Sequence, residues 1–162
     1  MIQPDLLLKM FSFSAELINL QLAGITHKES LLTPSFEANS LNWTLGHIIS
    51  SRTYPLRYVR SEPVWTDQQR DRYRHRSANI TKDEEGVWPL EILIDAFNES
   101  QQRLAENLQK LSYDDLLGPA GFHGNTIAES LVYFHFHETH HAGQLVLMAQ
   151  FIGKDGVWIS DL

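Results

Sequence analysis

The sequence predicts an all-α protein, a four-helix bundle with a long crossover between the second and third helices. Four segments repeat apolar residues at threes and fours, the spacing of one helix face. No segment reads as a strand. A polar stretch from 60 to 87, rich in breakers and without a clear period, separates the second pattern from the third. The chain of 162 residues is long enough for one well-cored domain spanning 1–162, and it has no internal repeat or linker.

Taken in order, the first helix is expected from Pro4 to about Thr26, with Leu6, Met10, Phe13, Leu17 and Leu20 as its core stripe. Pro4 suits a first helical turn, and Gly24 weakens the end. Residues 27–39 read as a connection. Asn39 or Ser40 caps the second helix, whose stripe is Leu41, Leu45, Ile48 and Ile49. Pro55 is expected to kink or end it, although apolar residues continue to Val59. The stretch after it reads as a solvated crossover with short helical turns. Pro89 opens the third helix, which shows Leu93, Ala96, Phe97, Ser100, Leu104, Leu108 and Leu111 on one face. Thr126-Ile127-Ala128-Glu129 matches a capping box for the fourth helix, which runs to about Ile152 and stops at Gly153. Its core face carries Ile127, Leu131, Phe134, Leu145, Met148 and Ile152. A short tail with Trp158 is expected to pack back or dock on a second subunit.

Composition narrows the function. The chain has no cysteine, which excludes disulfides, thiolate metal sites and a cysteine nucleophile. Any thiol chemistry needs a thiol from outside the chain. A net charge of −7 argues against nucleic acid and anionic membrane as partners. No apolar run is long enough to span a bilayer, and the N-terminus lacks the pattern of a signal peptide. A cytoplasmic location is the expectation. Seven of the thirteen Lys and Arg residues lie between Arg52 and Arg76, a potential cationic rim for an anionic substrate within a stretch otherwise read as solvated loop.

The chemistry concentrates in His135-Phe136-His137-Glu138-Thr139-His140-His141-Ala142-Gly143-Gln144, which holds four of the eight histidines. His137 and His141 are four apart, so one helix face aims both at one object. His137-Glu138-Thr139-His140-His141 fits the H-E-x-x-H pattern of zinc proteases, but no His or Glu follows to complete such a site. A di-iron carboxylate bundle needs two Glu-x-x-His pairs, and Glu138-x-x-His141 is the only one present. The remaining arrangement adds His47 from the second helix to His137 and His141 from the fourth. Three neutral imidazoles leave a divalent ion its charge and an open position. Glu138 sits about 100° round the helix from His137, so it reads as a supporting or surface carboxylate, with a general base as the alternative. Trp43 and Tyr54 flank His47 and are candidates for the walls of a pocket. Arg52 or Arg57 is a candidate to hold an anionic group, with a plain exposed arginine as the alternative, and His123 is a candidate to approach the mouth of the site. His75 lies in the crossover with no partner at ligand spacing.

Asn42-Trp43-Thr44-Leu45-Gly46-His47, the stretch His137 to Gln144, and the closing Gly153-Lys154 together resemble the DinB family of metal-binding four-helix bundles. The resemblance covers nearly the whole chain. It implies a three-histidine divalent metal site at His47, His137 and His141, and frequent homodimers; imidazole ligands suit zinc, nickel or iron and leave the identity of the ion open. Some members of that family are S-transferases or isomerases that use low-molecular-weight thiols. An Ala, Ala142, stands where the family often carries Arg. The function expected is a metal-dependent enzyme activating water or an external thiol for transfer or hydrolysis on a small molecule. The alternative is a non-catalytic metal-binding bundle with a structural or stress-related role. Reference imidazole values near pH 6.5 set a further expectation, release of the ion near pH 5.

Overall fold

The computed structural model describes residues 2–154. They form α1 (Pro4–Leu22), α2 (His27–Ser30), α3 (Leu41–Tyr58), α4 (Asp67–Arg70) running into a 3₁₀ turn (Asp71–Tyr73), α5 (Leu90–Leu108), α6 (Tyr113–Leu116) and α7 (Ile127–Phe151). The four long helices, α1, α3, α5 and α7, make the bundle. Among the described residues there is no strand, only an isolated bridge between Pro119 and Thr126. No described helix is long and apolar enough to cross a membrane. The tail with Trp158 lies outside the described residues.

Each long helix packs on two others, so the bundle is a square with α1 opposite α3 and α5 opposite α7. Side-chain bonds give the directions. His135 and Glu138 of α7 meet Met10 and Ser14 of α1 in the same sense, so these two helices are parallel. His47 lies by His137 while Tyr54 stacks on Phe134, so α3 and α7 are antiparallel. The bonds from Asn42 to Trp88 and from Arg52 to Ser100 advance together, which makes α3 and α5 parallel. Parallel neighbours cannot be joined by a tight turn, and this is why a long crossover is needed between them.

The helix starts follow their capping residues. Ser40 accepts the Trp43 N–H, and Thr126 with Glu129 forms the expected capping box. Gly153 ends α7 with φ of +89°, a conformation favouring glycine. Three expectations change. α1 ends at Leu22, and Thr26 caps α2 instead. Pro55 lies inside α3, which continues to Tyr58 because Leu56 and Val59 are almost fully buried. That burial outweighs the hydrogen bond that proline removes. The crossover is not simply solvated loop, since Tyr73 and Ile80 are fully buried and Trp65 nearly so.

The stripe read on the first helix lies mostly on the outer side, with only Met10 and Leu17 partly buried against the core. Leu6 and Leu20 are exposed and Phe13 is 60% exposed, while the buried side is Leu7, Phe11, Ala15, Ile18 and Leu22. α1 carries two apolar stripes side by side. Ser14 and Gln21 interrupt the inner one, so periodicity favoured the outer.

Ser14 has a reason to be there. The apolar core consists of two clusters, one around Ile18, Leu45, Phe97 and Leu145, the other around Leu7, Leu56, Leu104 and Leu131. Between them lies a polar layer with one residue from each long helix. Arg52 of α3 grips Glu138 of α7 in a bidentate pair, Nε to Oε2 at 2.7 Å and Nη2 to Oε1 at 2.8 Å. Ser14 of α1 donates to Glu138 Oε1 at 2.6 Å, and Arg52 Nη1 donates to Ser100 Oγ of α5 at 2.9 Å. Arg52 and Glu138 are 2% and 3% exposed. Arg52 is therefore not an exposed arginine, and it is not free to hold a substrate anion, because its donors are committed inside the bundle.

A buried pair that loses one partner leaves an uncompensated charge, which costs about 3–5 kcal/mol. Arg52→Met should lower stability by that amount in urea denaturation. The double variant Arg52→Met/Glu138→Leu should recover most of the loss, since both charges are then gone. A single-variant cost below about 1 kcal/mol would show that the layer is not under this constraint.

Candidate metal centre

α3 and α7 run antiparallel, and this brings His47 opposite the His137/His141 face. The ring nitrogens of the three histidines lie within 4.8 Å of one another. His137 Nε2 is 3.3 Å from His47 Nε2 and 3.2 Å from His141 Nε2. His47 is 5% exposed, His141 is largely buried and His137 partly so.

The other ring nitrogens explain this orientation. His47 Nδ1 is 2.8 Å from the Tyr73 carbonyl, which can only accept, so Nδ1 carries the proton. His141 Nδ1 donates in the same way to Gln144 Oε1 at 2.7 Å. Both Nε2 atoms are then bare lone pairs. A proton on His137 Nε2 can serve one of these neighbours but not both. Whichever neighbour it serves, the other Nε2 lone pair is left without a donor among the three, and a cation there would satisfy both. Bonds of about 2.0–2.1 Å at tetrahedral angles would set ligand nitrogens about 3.3 Å apart, which the two separations from His137 match. The donor set therefore fits a divalent ion bound by three neutral imidazoles.

Burial pushes all three rings toward neutrality. His137 is held down to about pH 3, first by burial and then by His141, His47 and His140. His141 is held down to about 4 by burial, against the pull of Gln144. Burial also lowers His47, against its bond to the Tyr73 carbonyl.

Tyr73 is held in turn by α3 and the start of α5. Its hydroxyl accepts from Trp88 N–H at 2.8 Å and lies 3.2 Å from Asn42 Oδ1. Its ring lies on Gly46, where a Cβ would come within 2.0 Å of the tyrosine carbons. Gly46 thus lets the crossover close onto α3 and deliver the carbonyl that orients His47. On the other side Trp43 stacks on the His47 ring at 4.8 Å, with its indole N–H donated to Ser77.

The three histidines face an open cleft of about 930 Å³ between α3, α7 and the crossover. Trp43, Tyr54 and His123 all line it. Tyr54 stacks on Phe134 and Phe122, and His123 stacks on Tyr133. Glu138 faces away into the polar layer with both oxygens occupied, which removes it as a general base. His75 is not remote, since the folded crossover brings it to the cleft lining, although it stands outside the ligand cluster. His135 is turned to the Met10 carbonyl, and His140 is exposed beside Gln144. Sequence reasoning gave no role to Tyr73, Gly46 or Gln144. Gly46 and Gln144 stand in the stretches that carry the family resemblance, and Gln144 is also placed three residues after His141 on one helix face.

The sequence profile of the DinB superfamily matches residues 14–145, which include all three histidines. The chain belongs to the DinB superfamily. A solved structure of a conserved protein from Enterococcus faecalis superposes on this DinB chain with a TM-score of 0.71 at 18% identity. The match covers 95% of this chain and 100% of that one, and it supports the fold. No curated protein matches the chain.

Gly46→Ala should displace Tyr73, free the His47 ring and weaken metal binding by about tenfold or more, the usual effect of losing a partner behind a ligand. Calorimetric titration with zinc tests this, and an unchanged affinity would separate Tyr73 from the site. A second expectation concerns acid. Protons compete with metal only near the pKa of the metal-free rings, and those of His137 and His141 lie well below 6.5. Affinity should change little from about pH 7 to pH 5 and fall below about pH 4, lower than the reference imidazole value suggests. Release of the ion near pH 5 would contradict the depressed values.

Proposed function

We propose that this DinB-superfamily protein binds a divalent ion through His47, His137 and His141 and is a metal-dependent enzyme acting on a small molecule. The observation that carries the reading is the convergence of three Nε2 atoms on the wall of an open cleft. Three protein ligands beside a cleft describe a catalytic site, whereas a structural site closes with four. That contrast favours the enzyme over a non-catalytic metal-binding bundle. A bound zinc, nickel or iron ion supplies Lewis acidity, which makes water or a thiol anionic near neutral pH. The thiol comes from outside, since the chain has no cysteine. A transfer or hydrolysis with water or a low-molecular-weight thiol as nucleophile is the reaction class.

The chain's own residues do the rest. Tyr73 and Gln144 fix two imidazoles in the tautomer that presents Nε2. Trp43, Tyr54 and Phe134 wall the cleft with rings that exclude water and receive a flat or apolar substrate. We also propose a cytoplasmic homodimer. The outer stripe of α1 (Leu6, Phe13, Leu20) and Phe136 of α7 leave exposed apolar surface that supports association.

Protein purified without a metal-affinity tag should carry about one divalent ion per chain, a stoichiometry set by one cluster of three ligands. His47→Ala, His137→Ala and His141→Ala should each lose it, while His75→Ala keeps it. Equal metal content in all four variants would overturn the ligand assignment. A panel of thiols and electrophiles assayed with the loaded protein then tests catalysis. Turnover that disappears on chelation and returns with metal supports the enzyme, and no turnover with any pair leaves the non-catalytic bundle as the better reading.

A further inference from the structure

Three arginines stand in or near the cleft, and they differ in how their donors are used. Arg52 is buried and engaged at all three nitrogens, with acceptors for Nε, Nη1 and Nη2. Arg70, at the end of α4, lines the cleft and is only 16% exposed. Its hydrogen bond among the described residues goes from Nη1 to Asp67 at 2.9 Å. Its Nε is buried without an acceptor among the described residues. The guanidinium lies 5.6 Å from the centre of the Tyr54 ring, on the wall that also carries Phe134. Arg74, in the same lining, is 70% exposed and served by solvent and by Asp71.

A guanidinium offers five donors, and a mostly buried one that leaves donors unmet carries an unrecovered desolvation cost. The geometry is that of a half-filled fork. Asp67, itself 83% exposed, takes one prong at Nη1, and an oxyanion in the cleft would be met by the terminal N–H groups that Asp67 leaves, Nε itself being closed off. The acidic neighbours Asp67 and Asp71 are each paired with an arginine, so they do not leave the rim negative.

We propose that Arg70 is the anion-binding residue of the cleft, and that the molecule brought to the three histidines carries a carboxylate. The inference rests on the metal reading given above. It assigns to Arg70 the role that the sequence suggested for Arg52, and it narrows the substrate or cosubstrate to a small carboxylate with a flat or apolar body that fits the aromatic wall.

Cobalt-loaded protein tests it without turnover, because a thiol that reaches the ion changes the cobalt absorption spectrum. The probes are 3-mercaptobenzoate and its neutral analogue 3-mercaptobenzamide, whose second group is too far from sulfur to chelate the same ion. The wild type should bind the benzoate about tenfold or more tightly relative to the amide, the worth of a charged hydrogen bond. Arg70→Gln should bring this ratio to within about twofold, by loss of the same bond. Asp67→Asn, which releases Nη1, should widen the ratio, and Arg74→Gln should leave it unchanged. Comparing ratios cancels any difference in thiol acidity between the probes. A ratio unmoved by Arg70→Gln, or equal weakening of both probes, overturns the proposal. If Arg70→Gln fails to take up cobalt, Asp67→Asn decides alone, and an unchanged ratio there overturns it. A wild type that binds cobalt with no carboxylate preference sinks this inference only, while one that binds no cobalt sinks the metal reading and the inference together.

Discussion

Four long helices meet at one polar layer, and the placement of everything else depends on it. Ser14, Arg52, Ser100 and Glu138 come one from each helix and form one hydrogen-bonded set between two apolar clusters. Apolar surfaces tolerate sliding, whereas a bidentate guanidinium–carboxylate pair does not. Sliding α7 along α3 by one turn would part Arg52 from Glu138 inside a low-dielectric core. Glu138 follows His137 directly, and Arg52 lies five residues after His47. The pair that fixes the register therefore also fixes where the histidines meet.

At the meeting point the constraint is one of lone pairs. The Tyr73 carbonyl and the Gln144 amide oxygen each hold a proton on the far side of an imidazole, and the near sides are left bare and crowded. Desolvation keeps the rings neutral and so denies them relief by protonation. A cation among the three nitrogens would resolve the conflict, and this physical tension, more than the histidine count, fits the cluster to a metal ion. The same antiparallel packing that crowds the nitrogens opens the cleft beside them, where Tyr54, Phe134 and Arg70 form a wall with an apolar part and a cationic part.

The helices and the His137/His141 pair were legible because they are written in local spacing. His137 and His141 share a face by being four apart, and the Thr126–Glu129 box marks its helix start in four letters. What was not legible depends on neighbours far along the chain. The stripe on α1 was misread because its inner face includes Ser14, a polar residue whose partner lies 124 positions away. Arg52 looked like a surface charge for the same reason, its partner being Glu138. The crossover looked like solvated loop because nothing local says that Tyr73 will lie on the bare backbone of Gly46. Its decisive group, a main-chain carbonyl, has no sequence signature at all. Arg70 was one of seven basic residues in a row of similar ones until burial set it apart.

The central claim is that His47, His137 and His141 together hold one ion through their ring nitrogens. X-ray absorption on the zinc-loaded protein tests it most directly, since outer-shell scattering counts imidazoles. The account predicts three imidazole nitrogens at about 2.0–2.1 Å with the remaining coordination from a light, exchangeable donor. A first shell dominated by carboxylate oxygen, or one with a single imidazole, would contradict it.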